Sequence, residues 1–311
     1  MIILIWTIQL LFIPAISPLC IGVIKKIKAK LQNRQGAGIF QPYRDLWKLF
    51  HKDEVISKDA SWIFRSAPFI VFSVTIFIGG SIPLFASFLQ NVWTGDILVV
   101  VYTLAIGTFF LALAGMDVGG AFGGFGASRE MTVSALAEGG LIFSLLTVAL
   151  ISGTTNLFAI SGAQALAGSQ SLLPVALSFG GFFIVLLAET ARFPFDNPAT
   201  HLELTMIHEA MILEYSGKKL ALMEWASFNK FVIFTALGAN IFFPYGIAIS
   251  LDAGSIALGI VALLAKIFVF CLAVGVLESV TAKFRFFRLP DLLVVSFILS
   301  AVAIGLATNS F

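Results

Sequence analysis

The sequence predicts an all-α polytopic membrane protein, with about eight transmembrane helices, an amphipathic interfacial helix and a large acidic cytoplasmic loop. Two observations support this fold class. Hydrophobic residues make up 59% of the 311 residues and charged residues only 12%, and the mean hydropathy is +1.00. The apolar residues also form separate runs near or above the ~20 residues that cross ~30 Å of hydrocarbon as a helix.

Eight runs are predicted to span the membrane, and together they form a single membrane domain over residues 1–311. The first run lacks a basic start and an A-x-A-type cleavage site, so we expect it to remain in the mature protein rather than be removed as a signal peptide. Hydropathy places the spans near residues 2–24, 67–89, 97–116, 131–152, 172–190, 227–250, 254–280 and 289–308.

Outside the spans, all basic residues lie in the odd-numbered loops, and the even-numbered loops contain no Lys or Arg. The positive-inside rule therefore predicts a multi-pass protein of the cytoplasmic (inner) membrane, with the odd-numbered loops in the cytoplasm and both termini on the outer side. The formal net charge of +2 reflects this orientation. No basic stripe with interleaved aromatic residues occurs, so we expect the lipid bilayer and no nucleic acid as a partner.

The two cysteines, Cys20 and Cys271, are single residues inside predicted spans. They cannot supply a CxxC pair or the four thiolates of an iron–sulfur cluster, and we expect them to pack as small apolar groups. We therefore expect no cofactor in this chain and assign any redox centre to a partner protein.

Loop one contains two signals. From Arg44 to Lys52, apolar residues recur at helical spacing beside charged neighbours. This pattern predicts a helix that lies in the membrane surface with its basic side among the lipid headgroups. Upstream, Arg34 belongs to the turn NRQGAG, whose glycines suit close approach to another surface.

Loop three reads GGAFGGFGASRE and has neither the lysine of a P-loop nor the spacing of a dinucleotide fingerprint. We expect a tight, partly buried re-entry before span four. In that arrangement Ser128 caps the helix, Arg129 follows it, and Glu130 benefits from the positive end of the helix dipole.

Several charged residues fall at membrane depth. Glu138 lies inside predicted span four and Lys266 near the middle of span seven, where a charge costs ~2.5–3.5 kcal/mol. Glu189 and Glu278 lie near the cytoplasmic ends of spans five and seven. One interpretation is a structural ion pair that closes the bundle, such as Lys266 with Glu138. The other is a proton route through buried carboxylates and water, which the graded depth of the four charges favours.

Loop five begins with ETARFPFDNPATHLEL and continues to EYSGKK. Its histidines, His201 and His208, are seven residues apart with acids nearby, but this spacing is not a zinc signature, so we predict no metal site. Its other charged candidates are Arg192, Asp196, Glu203 and Glu214.

Together these motifs resemble a known family. The pattern NR-x-G-x-G followed by FQPYRDLWKLF, then GASRE with a glutamate eight residues on, ET-x-R-x-PFD and EYSG, is similar to the membrane component of respiratory complex I called NADH dehydrogenase subunit 1. It resembles even more the equivalent membrane subunit of group 4 energy-converting NiFe hydrogenases and formate hydrogenlyases. The resemblance covers about residues 25–290.

The resemblance implies a non-catalytic subunit of an oxidoreductase complex, which anchors the complex in the membrane and links electron transfer in a cytoplasmic arm to proton or sodium translocation. The implied partners are hydrogenase large and small subunits and an iron–sulfur subunit, which hold the NiFe centre and iron–sulfur clusters, and antiporter-like membrane subunits. The candidates for a proton relay or coupling role are Glu130, Glu138, Glu189, Asp196, Glu203, Glu214, Lys266 and Glu278. The candidates for docking the peripheral arm are Arg34, Arg44, Arg129 and Arg192.

Two departures from the family pattern favour the hydrogenase-like branch, which requires no quinone. After PFD this chain has NPATHLEL, where complex I members and the better-known formate hydrogenlyases usually have an acid-rich segment resembling EAE-x-EL. Two acids are therefore missing, with Glu203 standing for the last. The NRQGAG turn also lacks the Gly-Pro-Asn typical of complex I, and the chain is short.

Three alternatives stay open. The chain could be the equivalent membrane component of a complex I-type quinone oxidoreductase. It could be a free-standing ion or proton transporter that uses Glu138, Glu189 and Lys266, although no internal repeat supports this. It could also be a membrane anchor whose acids serve only as docking contacts, in which case Glu138→Gln leaves coupled activity intact.

Overall fold

The computed structural model describes residues 2–88, 93–162, 172–196 and 206–309. It is 77% helical and has no strands in these ranges, so the all-α prediction is confirmed. The helices are α1 Ile2–Leu31, α2 Gln41–Phe50, α3 Trp62–Ser81, α4 Ile97–Asp117, α5 Ala121–Ser152, α6 Leu157–Gly162, α7 Leu172–Glu189, α8 His208–Ile212, α9 Gly217–Ile241, α10 Ala253–Val280 and α11 Leu289–Asn309.

Eight of these helices are long and apolar enough to cross a membrane, which confirms the predicted number of spans. They are α1, α3, α4, α5, α7, α9, α10 and α11. We call the end of the bundle formed by loops one, three, five and seven the odd-loop end, and the opposite end the even-loop end. Loop five, which contains α8, joins α7 to α9.

The centre of the bundle is α9. In its apolar window 61% of the residues are buried, against 28% for α11, so α9 runs through the interior and α11 lies at the periphery. On one side of the bundle α5 packs against α4, α7 and α11, and on the other side α1 packs against α3, α9 and α10. Cys20 of α1 and Cys271 of α10 are buried against each other, as the packing prediction required.

The second and sixth spans are shifted relative to the hydropathy pattern. The sixth span is a helix over 217–241 rather than 227–250, because its first turns contain polar residues that face loop contacts and lower the local hydropathy. The second span is a helix over 62–81 rather than 67–89. It ends because Pro83 favours extended backbone at Ile82, although the following residues are equally apolar.

The expected re-entry before span four is wrong, because the glycine-rich segment is the first part of α5, which begins at Ala121 after Gly120. A Cβ on Gly123 would lie 2.1 Å from the carbonyl oxygen of Gly115, and one on Gly126 would lie 2.8 Å from the Ala210 side chain. The glycines therefore let α5 pack closely on α4 and α8, and Ser128, Arg129 and Glu130 lie inside the helix rather than at its start.

The predicted interfacial helix is α2, which packs on α1 and α9 with Leu46 buried and Trp47 exposed. Helix α9 bonds to α1 at a defect in that helix. Because Pro18 has no N–H, the carbonyl of Pro14 lacks its helical donor, and the indole of Trp225 in α9 donates to it at 2.9 Å. The hydroxyl of Tyr43 in α2 donates to the neighbouring carbonyl of Ala15.

Candidate functional site

Buried charges gather at the odd-loop end. In the described ranges five ion pairs occur, and they join α1, α7, α9, α10 and loops one, five and seven. Four of them involve a carboxylate whose side chain is less than a tenth exposed. Since a buried charge is expensive unless it is paired, these carboxylates fix the positions of the elements that carry their partners.

Glu278, near the end of α10, bridges two cations. Its Oε2 lies 3.2 Å from Nζ of Lys28 in α1, and its Oε1 lies 3.1 Å from Nη1 of Arg192 in loop five. The guanidinium of Arg192 also lies 5.0 Å from the ring centroid of Phe231, a cation–π contact. One carboxylate thus ties loop five to α1 and α10.

Asp196, the aspartate of the PFD motif, closes loop five. Its Oδ1 lies 2.6 Å from Nζ of Lys283 in loop seven. Its Oδ2 accepts hydrogen bonds from the backbone N–H groups of Ile207 and His208, both at 3.2 Å. The two ends of the described part of loop five therefore meet at a single carboxylate.

Glu189 occupies the last position of α7 and connects three other helices. Its Oε2 lies 2.7 Å from Nζ of Lys230 in α9, and its Oε1 accepts a hydrogen bond of 3.1 Å from Ser134 in α5. The ammonium of Lys230 also donates to Thr108 of α4 at 3.3 Å. A change in the charge of Glu189 therefore acts on α4, α5, α7 and α9 together.

Three polar residues on one face of α5 lead inward from this pair. Glu130, Ser134 and Glu138 are four residues apart, so their side chains follow one another along the helix. Glu138 is half-buried and shares with Ser134, Thr108 and Glu189 a cavity of about 10 Å³, which holds about one water molecule. Glu138 and Glu189 thus line the same water-sized cavity.

Glu130, the outermost of the three, is only 6% exposed. Within the described ranges it forms no ion pair or hydrogen bond, although Lys230, Glu189 and Asp196 lie within electrostatic range. A carboxylate that is buried without a fixed partner is the kind of group that changes its protonation state when nearby charges move.

Loop five contains two titratable groups that the sequence did not single out as relay candidates. Burial, followed by the negative charges of Glu224 and Asp196, raises the pKa of Glu209 to about 7. Burial, followed by the positive charge of Lys230, lowers the pKa of His208 to about 4. His208 lines a second small cavity together with Thr108 and Lys230.

The predicted docking arginines divide into two pairs. Arg34 and Arg44 are exposed and form no side-chain hydrogen bond or ion pair with another described residue. Arg192 is buried on Glu278, and Arg129 donates to the carbonyl of Met206 at 3.0 Å. The structure thus gives Arg129 and Arg192 internal partners, and docking of a peripheral arm stays a prediction for all four arginines.

Two relay candidates, Glu214 and Lys266, lie apart from the network. Glu214 is exposed, with its carboxylate beside Gly120 at the start of α5. Lys266 does not reach Glu138: it donates to Oδ1 of Asn240 at 3.1 Å and to the carbonyl of Phe243 at 2.7 Å, towards the even-loop end. Glu203 and His201 lie outside the described residues.

Sequence reasoning missed the cations of the network. Lys28, Lys230 and Lys283 were not among its candidates, although each pairs with a buried carboxylate. Glu130 and Glu138 are eight residues apart, and a search for polar residues midway between them on the same helix face could have identified Ser134. Within the described ranges, no group of three or more His, Cys, Asp or Glu residues could hold a metal ion.

Known proteins are similar to this chain in sequence over nearly its full length. A family model described as NADH dehydrogenase matches residues 3–309. Hydrogenase-4 component C of Escherichia coli (strain K12) is 34% identical over 296 residues, which cover 95% of this chain and 92% of that protein. Formate hydrogenlyase subunit 4 of the same strain is 30% identical over 278 residues, covering 89% and 90%.

A solved structure has the same fold. The archaeal respiratory membrane complex called the membrane-bound sulfane sulfur reductase contains a chain that superposes with a TM-score of 0.80 and 22% identity, over 98% of this chain and 99% of that one. The family match and the two relatives settle the assignment that the motifs predicted. The chain belongs to the NADH dehydrogenase family, which includes the complex I membrane component that its motifs resemble.

Proposed function

We propose that the chain is the membrane-anchoring and ion-coupling subunit of a multisubunit energy-converting hydrogenase of the formate hydrogenlyase type. In this role it links electron transfer in a cytoplasmic arm to proton or sodium translocation in the membrane. The names of the two relatives, hydrogenase-4 component C and formate hydrogenlyase subunit 4, support the hydrogenase branch over a quinone oxidoreductase or a free-standing transporter.

The Glu189 carboxylate is the observation that carries the coupling role. It is bonded to Lys230 and Ser134 at once, and Glu138 of α5 lines the same small cavity. Because Glu189 is the last residue of α7, its position depends directly on loop five, which begins at the next residue. An ionisable group that is buried at a junction of helices is suited to respond to motion on one side and proton movement on the other.

The proposed mechanism uses loop five as the input. Two ion pairs hold this loop in place: Arg192 pairs with Glu278 of α10, and Asp196 pairs with Lys283 of loop seven. A partner that moves the loop changes the distance between Glu189 and Lys230. When Lys230 moves away, a proton passes between Glu189 and Glu138 through Ser134 and a water molecule in their shared cavity, and the return of Lys230 restores the ion pair.

The test compares two substitutions in the intact complex. Glu189→Gln keeps the shape and one hydrogen bond to Ser134 but cannot hold a titrating charge beside Lys230. We expect hydrogen evolution to continue in detergent, while ion uptake by inverted membrane vesicles, followed with a pH-sensitive dye, falls at least tenfold. Asp59→Asn serves as the control, since Asp59 is exposed in loop one. Ion uptake at the wild-type level in Glu189→Gln would exclude the relay.

The proposed partners are hydrogenase large and small subunits and an iron–sulfur subunit on the cytoplasmic side, with antiporter-like subunits beside this chain in the membrane. The NiFe centre and iron–sulfur clusters then belong to those partners. The exposed guanidinium groups of Arg34 and Arg44, both in loop one, support docking at the odd-loop end, which is then the cytoplasmic end.

Purification of the complex from native membranes in mild detergent tests these partners. Nickel, iron and a hydrogenase large subunit are expected to copurify with the chain. A flavin-bearing dehydrogenase with bound quinone would place it with complex I instead, and recovery of the chain alone would support the transporter.

A further inference from the structure

A cavity of about 420 Å³ lies between α7, α9 and α10, and none of the ion-paired residues lines it. We call it the phenylalanine cavity, because four phenylalanines form most of its wall: Phe179, Phe183, Phe243 and Phe270. Their rings meet at steep angles, for example 78° between Phe179 and Phe243 at 4.9 Å and 86° between Phe179 and Phe270 at 6.0 Å. Such edge-to-face contacts hold the wall in a fixed shape.

The cavity lies at the depth of the hydrocarbon. Lys266, which lines it, is about 20 Å along the spanning helix α10 from its first residue, at 1.5 Å per residue. A further ~21 Å of helix follows Lys266, so the cavity is near the middle of a ~30 Å core. Val269 at its mouth is 62% exposed, so the cavity opens on the outer surface of the bundle.

The one charged side chain in the wall turns its charge away from the cavity. The ammonium of Lys266 donates to Oδ1 of Asn240 and to the carbonyl of Phe243, at the end of α9. Its methylene stem is what remains to line the cavity, between the aromatic rings and Ala239 and Ala273. The inner surface is therefore hydrocarbon throughout.

These properties restrict what can fill the cavity. Water needs two to four polar partners, and apolar cavities of about 150 Å³ stay dry and take up apolar molecules instead. An anionic group would find the ammonium already bonded to two acceptors. A flexible hydrocarbon is the available occupant at this depth, and ligand cavities commonly measure about 300–1,000 Å³.

We propose that the phenylalanine cavity binds one acyl chain of a membrane phospholipid. The acyl chain covers the methylene stem of Lys266 and the aromatic wall. It therefore keeps lipid headgroups and water away from the hydrogen bonds that join Lys266 to the end of α9. The site is independent of the coupling role, because it lies outside the ion-pair network and contains no titrating group that the relay uses.

Photocrosslinking in the intact complex tests the proposal. The probe is a phosphatidylethanolamine with a diazirine at the middle of one acyl chain, reconstituted with the complex in nanodiscs. We expect the label on the peptide that contains residues 266–273. Ala273→Phe fills the cavity from within and should reduce this label at least fivefold. Ala265→Phe adds the same ring to an exposed position on α10 and should leave it within twofold of wild type.

A second variant protects the test from a folding defect. Val269→Trp blocks the exposed mouth without entering the core and is expected to reduce the label in the same way. Equal labelling in wild type and Val269→Trp would overturn the proposal, as would a crosslink showing that a helix of a partner protein fills the cavity. Both results are independent of ion uptake, so the coupling role stands or falls separately.

Discussion

The two ends of the bundle use the same residue types in different ways. At the even-loop end, the carboxylates of Asp96 and Asp252 accept hydrogen bonds from backbone N–H groups at the first turns of α4 and α10. At the odd-loop end, Glu189, Asp196 and Glu278 each pair with lysine or arginine from another element. A charge change at the even-loop end is therefore local, whereas one at the odd-loop end reaches several helices.

Asn240 shows how the even-loop end avoids ion pairs. Its amide donates to the carbonyls of Pro83 at 2.9 Å and Leu84 at 2.5 Å, while its oxygen accepts from Lys266. A neutral side chain thus satisfies two carbonyls freed by the end of α3 and a cation in the membrane. The amide of Asn240 does not titrate, so its bonds to the two carbonyls do not depend on its protonation, which suits a fixed support for the responsive end.

Removing the charge of Glu278 should have the largest effect. Glu278→Gln leaves Lys28 and Arg192 without a counter-ion, and loss of one partner of a buried pair costs about 3–5 kcal/mol. We expect a large fall in the thermal unfolding midpoint of the purified chain in mild detergent, followed by tryptophan fluorescence, and reduced abundance of the assembled complex.

Glu54→Gln is the matched control for Glu278. The Glu54 carboxylate lies 3.5 Å from Lys219, and its side chain is 27% exposed against 3% for Glu278, so loss of this better-hydrated and longer pair should cost less. If the two substitutions lower the unfolding midpoint equally, the buried network is not what holds the odd-loop end together.

Much of this comparison could be predicted from the sequence, since hydropathy identified eight spans and the distribution of Lys and Arg separated the two ends. The pairing of charges could not. Glu138 and Lys266 fall at membrane depth in the sequence, but they lie on different sides of α9, so the three-dimensional packing decides that they do not meet. Hydropathy also missed the start of α5, because a glycine-rich segment is typical of a loop, whereas here the glycines allow close helix packing.

The pH dependence of stability should differ between the ends, with opposing contributions from neighbours in loop five. The pKa of Glu209 is raised to about 7 in the folded protein. Its contribution to the free energy of unfolding is therefore complete below the pKa of an unfolded glutamate and is lost as pH rises towards 7. The pKa of His208 is lowered to about 4 in the folded protein. Its contribution to the free energy of unfolding is therefore complete above about pH 6.5 and is lost as pH falls towards 4.

Single substitutions separate these slopes. Between pH 5 and 6.5, Glu209→Gln should make stability rise with pH, and His208→Gln should make it fall, each by about 1–2 kcal/mol across the window. Thermal unfolding of the purified chain at several pH values measures both. The same slope in both variants would mean that neither group titrates in this window.

The smallest loss of stability is expected at the even-loop end, where removing a helix cap should affect only the first turn of one helix. Asp252 bonds the backbone N–H groups of Gly254 and Ser255 at 3.2 and 3.3 Å and is exposed. Asp252→Ala removes the cap and should cost about 1 kcal/mol, whereas Asp252→Ser supplies another capping oxygen and should restore most of the loss.

At Asp196, by contrast, serine cannot replace the charge that holds Lys283, so Asp196→Ser should lower the unfolding midpoint further than Asp252→Ala. Equal loss in Asp252→Ser and Asp196→Ser would mean that charge matters as much at the even-loop end, and the division between a fixed end and a responsive end would fail.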